Sequence, residues 1–195
     1  MLVTVEDIKT LRDMTGAGIM DSKRALEESG GDVEMAQQIL KDKGIATAAK
    51  KASRETNEGL IHSYIHTGSR VGAIVEVNCE TDFVANTPDF QELVRDIAMH
   101  IAAAKPRFAT REEVTQEILN KEKEIFAHQA KESGKPDNII EKIVSGKMEK
   151  FYEENCVLEQ PFIKDTNITV QELIKQKIAL LGENINIGRF VRFEV

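Results

Sequence analysis

Between positions 62 and 82 the chain places three side chains with ligating or nucleophilic atoms, His62, His66 and Cys79, and three carboxylates, Glu76, Glu80 and Asp82. The first group could hold a transition metal or relay a proton, and the second could bind a hard cation such as Mg²⁺. The spacing argues against both. If a hairpin turns at Thr67-Gly68-Ser69 and pairs His66 with Arg70, His62 faces Ile74 and Cys79 lies five residues further along. At about 3.3 Å per residue that is roughly 16 Å, too far for a shared ion or a proton transfer. The carboxylates are spread in the same way along a strand and a helix start, where acidic surface is the ordinary state. His66 at the hairpin tip is better suited to a contact. The chain has no G-x-x-x-x-G-K-[ST] loop, so it is not expected to hold a nucleotide in the P-loop manner, and no cofactor is expected.

The residue left to explain is Phe83, an aromatic among acids in Glu76-Val-Asn-Cys-Glu-Thr-Asp-Phe-Val-Ala-Asn86. Val71, Ala73, Val75 and Val77 alternate with Gly72, Glu76 and Asn78, which predicts a half-buried strand. Thr87 is a good N-cap and Pro88 suits a first helical position, so Thr81-Asp82-Phe83-Val84 forms a junction between strand and helix. The default reading makes Phe83 a core residue over the sheet end, with Asp82 capping a turn. The alternative makes it a wedge, with Phe83 entering an apolar slot on another protein while Asp82 carries negative charge to a polar centre.

The elements that must position this junction follow from caps and periodicity. Residues 4–44 show three short helical patterns: Thr4 with Asp7 at N3, a break at Gly16-Ala-Gly18, another at Gly30-Gly31, an Asp32 cap, and a stop at Gly44. Ile19 and Met20 sit together at a helix entry, with Arg12 and Lys23 nearby. They either staple the bundle or, in so small a unit, stay available to a partner. An alanine-rich basic stretch, Ile45 to Asn57, reads as a helical or extended linker. Leu60, Ile61, Tyr64 and Ile65 make the first strand of the hairpin. Phe90, Leu93, Ile97 and Ile101 mark an amphipathic helix from Thr87 to Ala104, stopped by Lys105-Pro106.

Downstream, Thr110 and Glu113 read as a capping box opening a charged helix to Glu132, and Ser133-Gly-Lys-Pro136 turns it into a second helix with Ile140, Val144, Met148 and Phe151 on one stripe. An extended piece follows through Pro161-Phe162. Thr169 and Glu172 open a helix that ends at Gly182, and Ile185, Ile187, Val191, Phe193 and Val195 alternate in a last strand. The fold class is α+β, with three expected parts: a three-helix domain over 1–54, an α+β core over 55–109 and 160–195 with a small antiparallel sheet, and a projecting helical hairpin over 110–159.

Composition bounds the partners. The 195 residues carry 26 basic and 33 acidic side chains, 26 − 33 = −7, which disfavours nucleic acid as the ligand. No run is long and apolar enough for a membrane, and the first residues lack the pattern of a secretion signal. Cys79 and Cys156 stand in no C-x-x-C or metal-ligand spacing and read as reduced thiols. A soluble, cytoplasmic protein is expected.

Two stretches carry a likeness. Leu11-Arg-Asp-Met-Thr-Gly-Ala-Gly-Ile-Met-Asp-Ser-Lys-Arg-Ala-Leu26 and Glu76-Val-Asn-Cys-Glu-Thr-Asp-Phe-Val-Ala85 resemble the two signature motifs of the translation elongation factor Ts family. The resemblance continues through His100-Ile-Ala, Ser133-Gly-Lys-Pro136, Gln160-Pro-Phe162, Gly182-Glu-Asn-Ile185 and Arg192-Phe-Glu194, in the shared order and over nearly the whole chain. It implies a guanine-nucleotide exchange factor for the GTPase EF-Tu, with a ubiquitin-associated-like (UBA-like) N-terminal domain. By the same likeness Asp82 and Phe83 enter between helices of EF-Tu and disturb its Mg²⁺ site, with Thr81 and Val84 setting the loop. Arg12, Ile19, Met20 and Lys23 match the contact surface on the GTPase domain, Ile19 standing where the family often has Met. Longer members carry a second core half, and Ser63-Tyr-Ile-His66 resembles a segment of that half. This implies a homodimer in which His66 of one subunit and Phe83 of the other address one EF-Tu. Two other readings stay open from the residues alone: a non-catalytic interaction or chaperone-like module, and, more distantly, a hydrolase built on His62, His66 and Asp82.

Overall fold

The computed structural model describes residues 3–132 and 136–195. The helices are α1 (Val5–Thr15), α2 (Ile19–Glu28), α3 (Val33–Lys51), α4 (Asp82–Ala85), α5 (Pro88–Ala104), α6 (Gln116–Glu132), α7 (Asp137–Asn155) and α8 (Val170–Leu181). The strands are β1 (Glu58–Ile65), β2 (Val71–Cys79), β3 (Pro161–Phe162), β4 (Asp165–Thr169) and β5 (Ile185–Glu194). One sheet has the order β1-β2-β5, and β3 and β4 pair antiparallel as a second. The fold is α+β. Among the described residues no helix is long and apolar enough to cross a membrane.

Two compact units divide the chain. The first comprises Met1–His62, Val75–Asp96 and Glu172–Gly188. Its helices α1 and α3 start where side chains take up orphan backbone donors, whereas α2 starts behind Gly18 with no side-chain cap. Thr4 and Asp7 form a reciprocal capping box on α1, Gly16 closes that helix in the left-handed region at φ 69°, and Asp32 caps α3 by accepting from the Met35 N–H at 2.9 Å. Leu11, Ala25, Leu26 and Ala36 form the small core between these helices, with Ile8, Val33, Ile39 and Leu40 against it. Val75, Val77, Phe90, Leu93, Ile178 and Ile185 are buried in the same unit.

Gly44 does not end the third helix as its sequence position suggests. α3 continues through it to Lys51, so most of the expected linker is helical. The cause is tertiary. Gly44 lies against α8, where an added Cβ would sit 3.5 Å from the Ala179 Cβ, and Lys41 pairs with Glu172 at 2.9 Å. The contact outweighs the roughly 1 kcal/mol that Gly costs a helix interior.

The second unit comprises Ser63–Ile74, Ile97–Gln171 and Arg189–Val195. The hairpin turn lies here, and its register differs from expectation by one residue: the His66 N–H donates to the Val71 carbonyl at 2.8 Å, so His66 is bonded to Val71 rather than paired with Arg70. α6 and α7 form a helical hairpin around Val114, Met148, Phe151 and Cys156, with Ile118, Leu119, Phe126 and Val144 against them. The expected capping box does not open α6. Thr110 precedes a single 3₁₀ turn, Arg111–Glu113, in which the Glu113 carboxylate accepts from the Ala109 N–H at 2.8 Å. α6 starts instead behind Thr115, whose carbonyl accepts from the Leu119 N–H at 3.1 Å. Both threonines carry an N-cap signal, and only the second is followed by a continuing helix. The turn expected at Ser133-Gly-Lys135 lies outside the described residues.

The polar segment Asp165–Thr169, beyond the extended piece expected through Pro161-Phe162, forms a further strand, β4, so that Thr169 ends a strand just before α8 begins at Val170. β5 keeps the expected strand but not one buried face. Ile185 and Ile187 are buried, whereas Val191, Phe193 and Val195 are exposed, and Arg192 turns inward to donate to the Ala102 carbonyl at 2.8 Å. His100 is buried in this unit. Its Nδ1 accepts from the Ile163 N–H at 3.3 Å, which leaves Nε2 to donate to Gln160 Oε1 at 2.9 Å. Burial holds its pKa below the ordinary imidazole value.

Candidate functional site

β2 ends at Cys79, and the next two N–H groups have no strand partner. The Glu183 carboxylate takes both, accepting from Glu80 N–H at 3.1 Å and Thr81 N–H at 3.0 Å, and it also accepts the Thr81 hydroxyl at 2.6 Å. Glu80 returns the arrangement: its carboxylate accepts the Asn184 N–H at 2.6 Å and the Arg54 guanidinium at 3.4 Å. The Asn184 N–H is the main cause that holds the Glu80 carboxyl below the usual carboxylate range. Asn184 in turn donates to the carbonyls of Ala52 and Arg54 at 3.4 and 2.8 Å, which fastens the exit of α3 to the same knot.

Thr81 is the N-cap of α4, its Oγ1 accepting from the Val84 N–H at 3.4 Å. The single turn is closed on itself and on α5: Ala85 N–H reaches the Thr81 carbonyl, Asn86 N–H the Asp82 carbonyl, and Thr87 Oγ1 the Val84 carbonyl. Behind the turn the Cys79 thiol donates to the Thr81 carbonyl at 3.2 Å, and burial pushes that thiol up to about 11. Cys79 is therefore a protonated support and no nucleophile near neutral pH.

Within this frame Ala85 is buried and Val84 half-buried, while Asp82 and Phe83 face solvent. Phe83 is 82 % exposed, which removes the core-residue reading. A phenyl ring held in water by a turn that Thr81 caps and that Ala85 and Asn86 close by backbone hydrogen bonds is an organised apolar projection with an acid beside it. Among the described residues, no three His, Cys, Asp or Glu side chains gather as metal ligands.

The other candidate residues fall in two places. Arg12, Ile19, Met20 and Lys23 lie in the first unit, around the α1–α2 turn. Ile19 and Met20 are 57 % and 61 % exposed, so neither serves as a staple inside the bundle. The Arg12 guanidinium is bonded to Asp13, and Lys23 lies 3.6 Å from Glu27, both exposed pairs that a partner can displace at little cost. His66 belongs to the second unit, exposed, with its Nδ1 3.1 Å from the Tyr64 hydroxyl. Glu183 and Asn184 are the functional residues that sequence reasoning missed. They lie in Gly182-Glu-Asn-Ile185, whose only sequence signal is the family likeness, and nothing local tells the Glu183 carboxylate that its partner Thr81 is 102 residues away.

Comparison with known proteins agrees over the full chain. The profile of the family described as Elongation factor TS matches residues 45–195. Elongation factor Ts of Moorella thermoacetica is 56 % identical over 194 residues, which span all of this chain and 96 % of that protein. The proteins of the same name from Carboxydothermus hydrogenoformans and Thermosipho melanesiensis are 58 % and 55 % identical over 194 residues, covering 89 % and 99 % of their own lengths. Both the motifs and the whole-length identity lead to one assignment: the chain belongs to the elongation factor Ts family.

Proposed function

We propose that this chain is a guanine-nucleotide exchange factor for the GTPase EF-Tu, acting in the cytoplasm during translation elongation. The observation that carries the reading is the exposure of Phe83 beside Asp82 on a turn braced by Glu183. In this reading residues 1–54 are the UBA-like docking domain, which meets EF-Tu through Arg12, Ile19, Met20 and Lys23. Residues 55–109 and 160–195 are the core that presents Thr81-Asp82-Phe83-Val84, and residues 110–159 are the helical hairpin.

Exchange needs no covalent chemistry. Nucleotide and factor each bind EF-Tu, and in the ternary complex each weakens the other by the same factor. Mg²⁺ bridges the phosphates of the bound nucleotide, so an intruding Phe83 that displaces the metal's surroundings lowers the hold on GDP, and Asp82 brings a competing negative charge. A thousandfold acceleration requires roughly 4 kcal/mol of barrier lowering. Burying one Phe side chain supplies about 1.5–3 kcal/mol of it, and the docking contacts supply the remainder.

The chain acts as a homodimer in this proposal. In the second unit the sheet leaves Ile65 62 % and Phe193 67 % exposed, with Ile74 and Val191 also in solvent. Gly72 is covered by the Ile65 side chain, whose Cδ1 would lie 2.6 Å from an added Cβ. Apolar side chains laid over a glycine form a flat face suited to a second copy of the same sheet. His66 of one subunit then joins Phe83 of the other on one EF-Tu. Sedimentation is the check: a monomer fully active in exchange would overturn the dimer.

Stopped-flow release of fluorescent GDP from EF-Tu tests the main reading. The wild-type chain should accelerate release, and a folded Asp82→Ala/Phe83→Ala variant should show a clear deficit. No acceleration by the wild type would leave the protein as an interaction module without exchange activity.

A further inference from the structure

The turn that carries Phe83 is held by a residue from the far end of the chain. Glu183 follows α8, and its one carboxylate gathers three donors from two consecutive residues: Glu80 N–H at 3.1 Å, Thr81 N–H at 3.0 Å and Thr81 O–H at 2.6 Å. Hydrogen bonds to an ionised acceptor are roughly twice as strong as neutral ones, and three to one group leave the Thr81 backbone and χ1 little freedom. Thr81 is the N-cap from which α4 takes its direction, and Phe83 stands two residues on. The hold is reciprocal, because the Glu80 carboxylate accepts the N–H of Asn184, the neighbour of Glu183, at 2.6 Å. Each carboxylate thereby caps the backbone of the other's loop.

We propose that Glu183 is the positioning residue of the exchange turn: it fixes Thr81, and through Thr81 the direction in which α4 presents Asp82 and Phe83. The inference rests on the exchange reading above. Glu183 itself does not meet the partner's nucleotide site. Its carboxylate is occupied by the turn, and its effect reaches EF-Tu only through Phe83. Preorganisation of this kind spares the complex the entropy of ordering the turn at the moment of insertion.

A double-mutant cycle separates positioning from plain stability. GDP release from EF-Tu is measured over a range of concentrations of wild-type chain, Glu183→Ala, Phe83→Ala and the double variant, with thermal unfolding of each. Glu183→Ala should lower the maximal release rate roughly tenfold while the half-saturating concentration moves by less than about twofold, because the α1–α2 surface is untouched. In the Phe83→Ala background the same substitution should cost less than about twofold, since the group it aims is already gone. Glu183→Gln keeps an acceptor for the two N–H groups and should recover most of the rate. An unchanged rate in Glu183→Ala, or the same loss in both backgrounds, overturns the proposal. If Glu183→Ala does not fold, Glu183→Gln takes its place in the cycle: its smaller loss must again vanish without Phe83, and a loss that persists overturns the proposal. A wild-type chain that fails to release GDP overturns the exchange reading instead, so the two failures are distinct.

Discussion

Phe83 and Phe90 are seven positions apart and meet opposite fates, the first 82 % exposed and the second fully buried. Each follows a threonine N-cap. Thr81 accepts from the Val84 N–H and Thr87 from the Phe90 N–H, at 3.4 and 3.3 Å. Counted from those caps, Phe90 occupies the third helical position of α5, whereas Phe83 occupies the second of α4, where Val84 has the third. One position is a rotation of about 100°, enough to carry a ring from core to solvent. Burial of an aromatic here is decided by its phase relative to the nearest cap. Local hydrophobicity points the wrong way, since the exposed Phe83 is followed by Val84-Ala85 and the buried Phe90 by Gln91-Glu92.

The largest effect expected from this contrast is on stability at Phe90. Phe90→Ala should cost about 3–5 kcal/mol of unfolding free energy, measured by denaturant titration, because it opens a cavity at a fully enclosed site. Phe83→Ala should cost less than about 0.5 kcal/mol by the same measurement, as a surface substitution does. Its GDP release with EF-Tu should nevertheless fall more than tenfold, a loss of at least about 1.4 kcal/mol in the barrier. Equal destabilisation by the two substitutions would break the contrast and return Phe83 to the core.

A finer test extends the same rule to a polar side chain of α5. His100 is buried and neutral in the folded chain, its pKa depressed by burial, whereas the unfolded chain titrates near the ordinary value of 6.5. Below that value the unfolded state binds the extra proton, so the stability tied to neutral His100 is complete above pH 6.5 and is lost as the pH falls through the depressed folded value. The urea midpoint should therefore drop more steeply between pH 7.5 and 5.5 in the wild type than in His100→Gln. Parallel slopes would mean that His100 is not held neutral.

Much of the local structure was legible. The Thr4–Asp7 box, the Gly16 stop, the Asp32 cap and the Phe90, Leu93, Ile97, Ile101 stripe all act as their residue types and spacing predict. The failures share one physical source, namely contacts remote in sequence. Gly44 reads as a stop until α8 is known to lie against it. Asp165–Thr169 has no apolar alternation and becomes a strand because β3 pairs with it. The alternating residues of β5 cannot announce that their later members, Val191 and Phe193, stay in solvent. At the candidate site the sequence gives Asp82 and Phe83 as a pair with chemical interest. The choice between wedge and core needs the phase of α4, and the brace needs Glu183, which no window around Phe83 contains.

The unbroken run of α3 has one more consequence. Its 19 residues make a rod of about 28 Å at 1.5 Å per residue, with the three-helix core at one end and the α8 contact towards the other. Such a rod works as a ruler with an angular scale. One residue gained or lost between Leu40 and Gly44 would advance the far end by only about 1.5 Å but turn it by about 100°, bringing Lys43 or Ile45 to the place where only a glycine now faces Ala179. Length in this segment is counted in single residues, and tolerance to insertion is expected only beyond the Ala52 and Arg54 carbonyls that Asn184 holds, in the non-helical residues 55–57 that lead into β1.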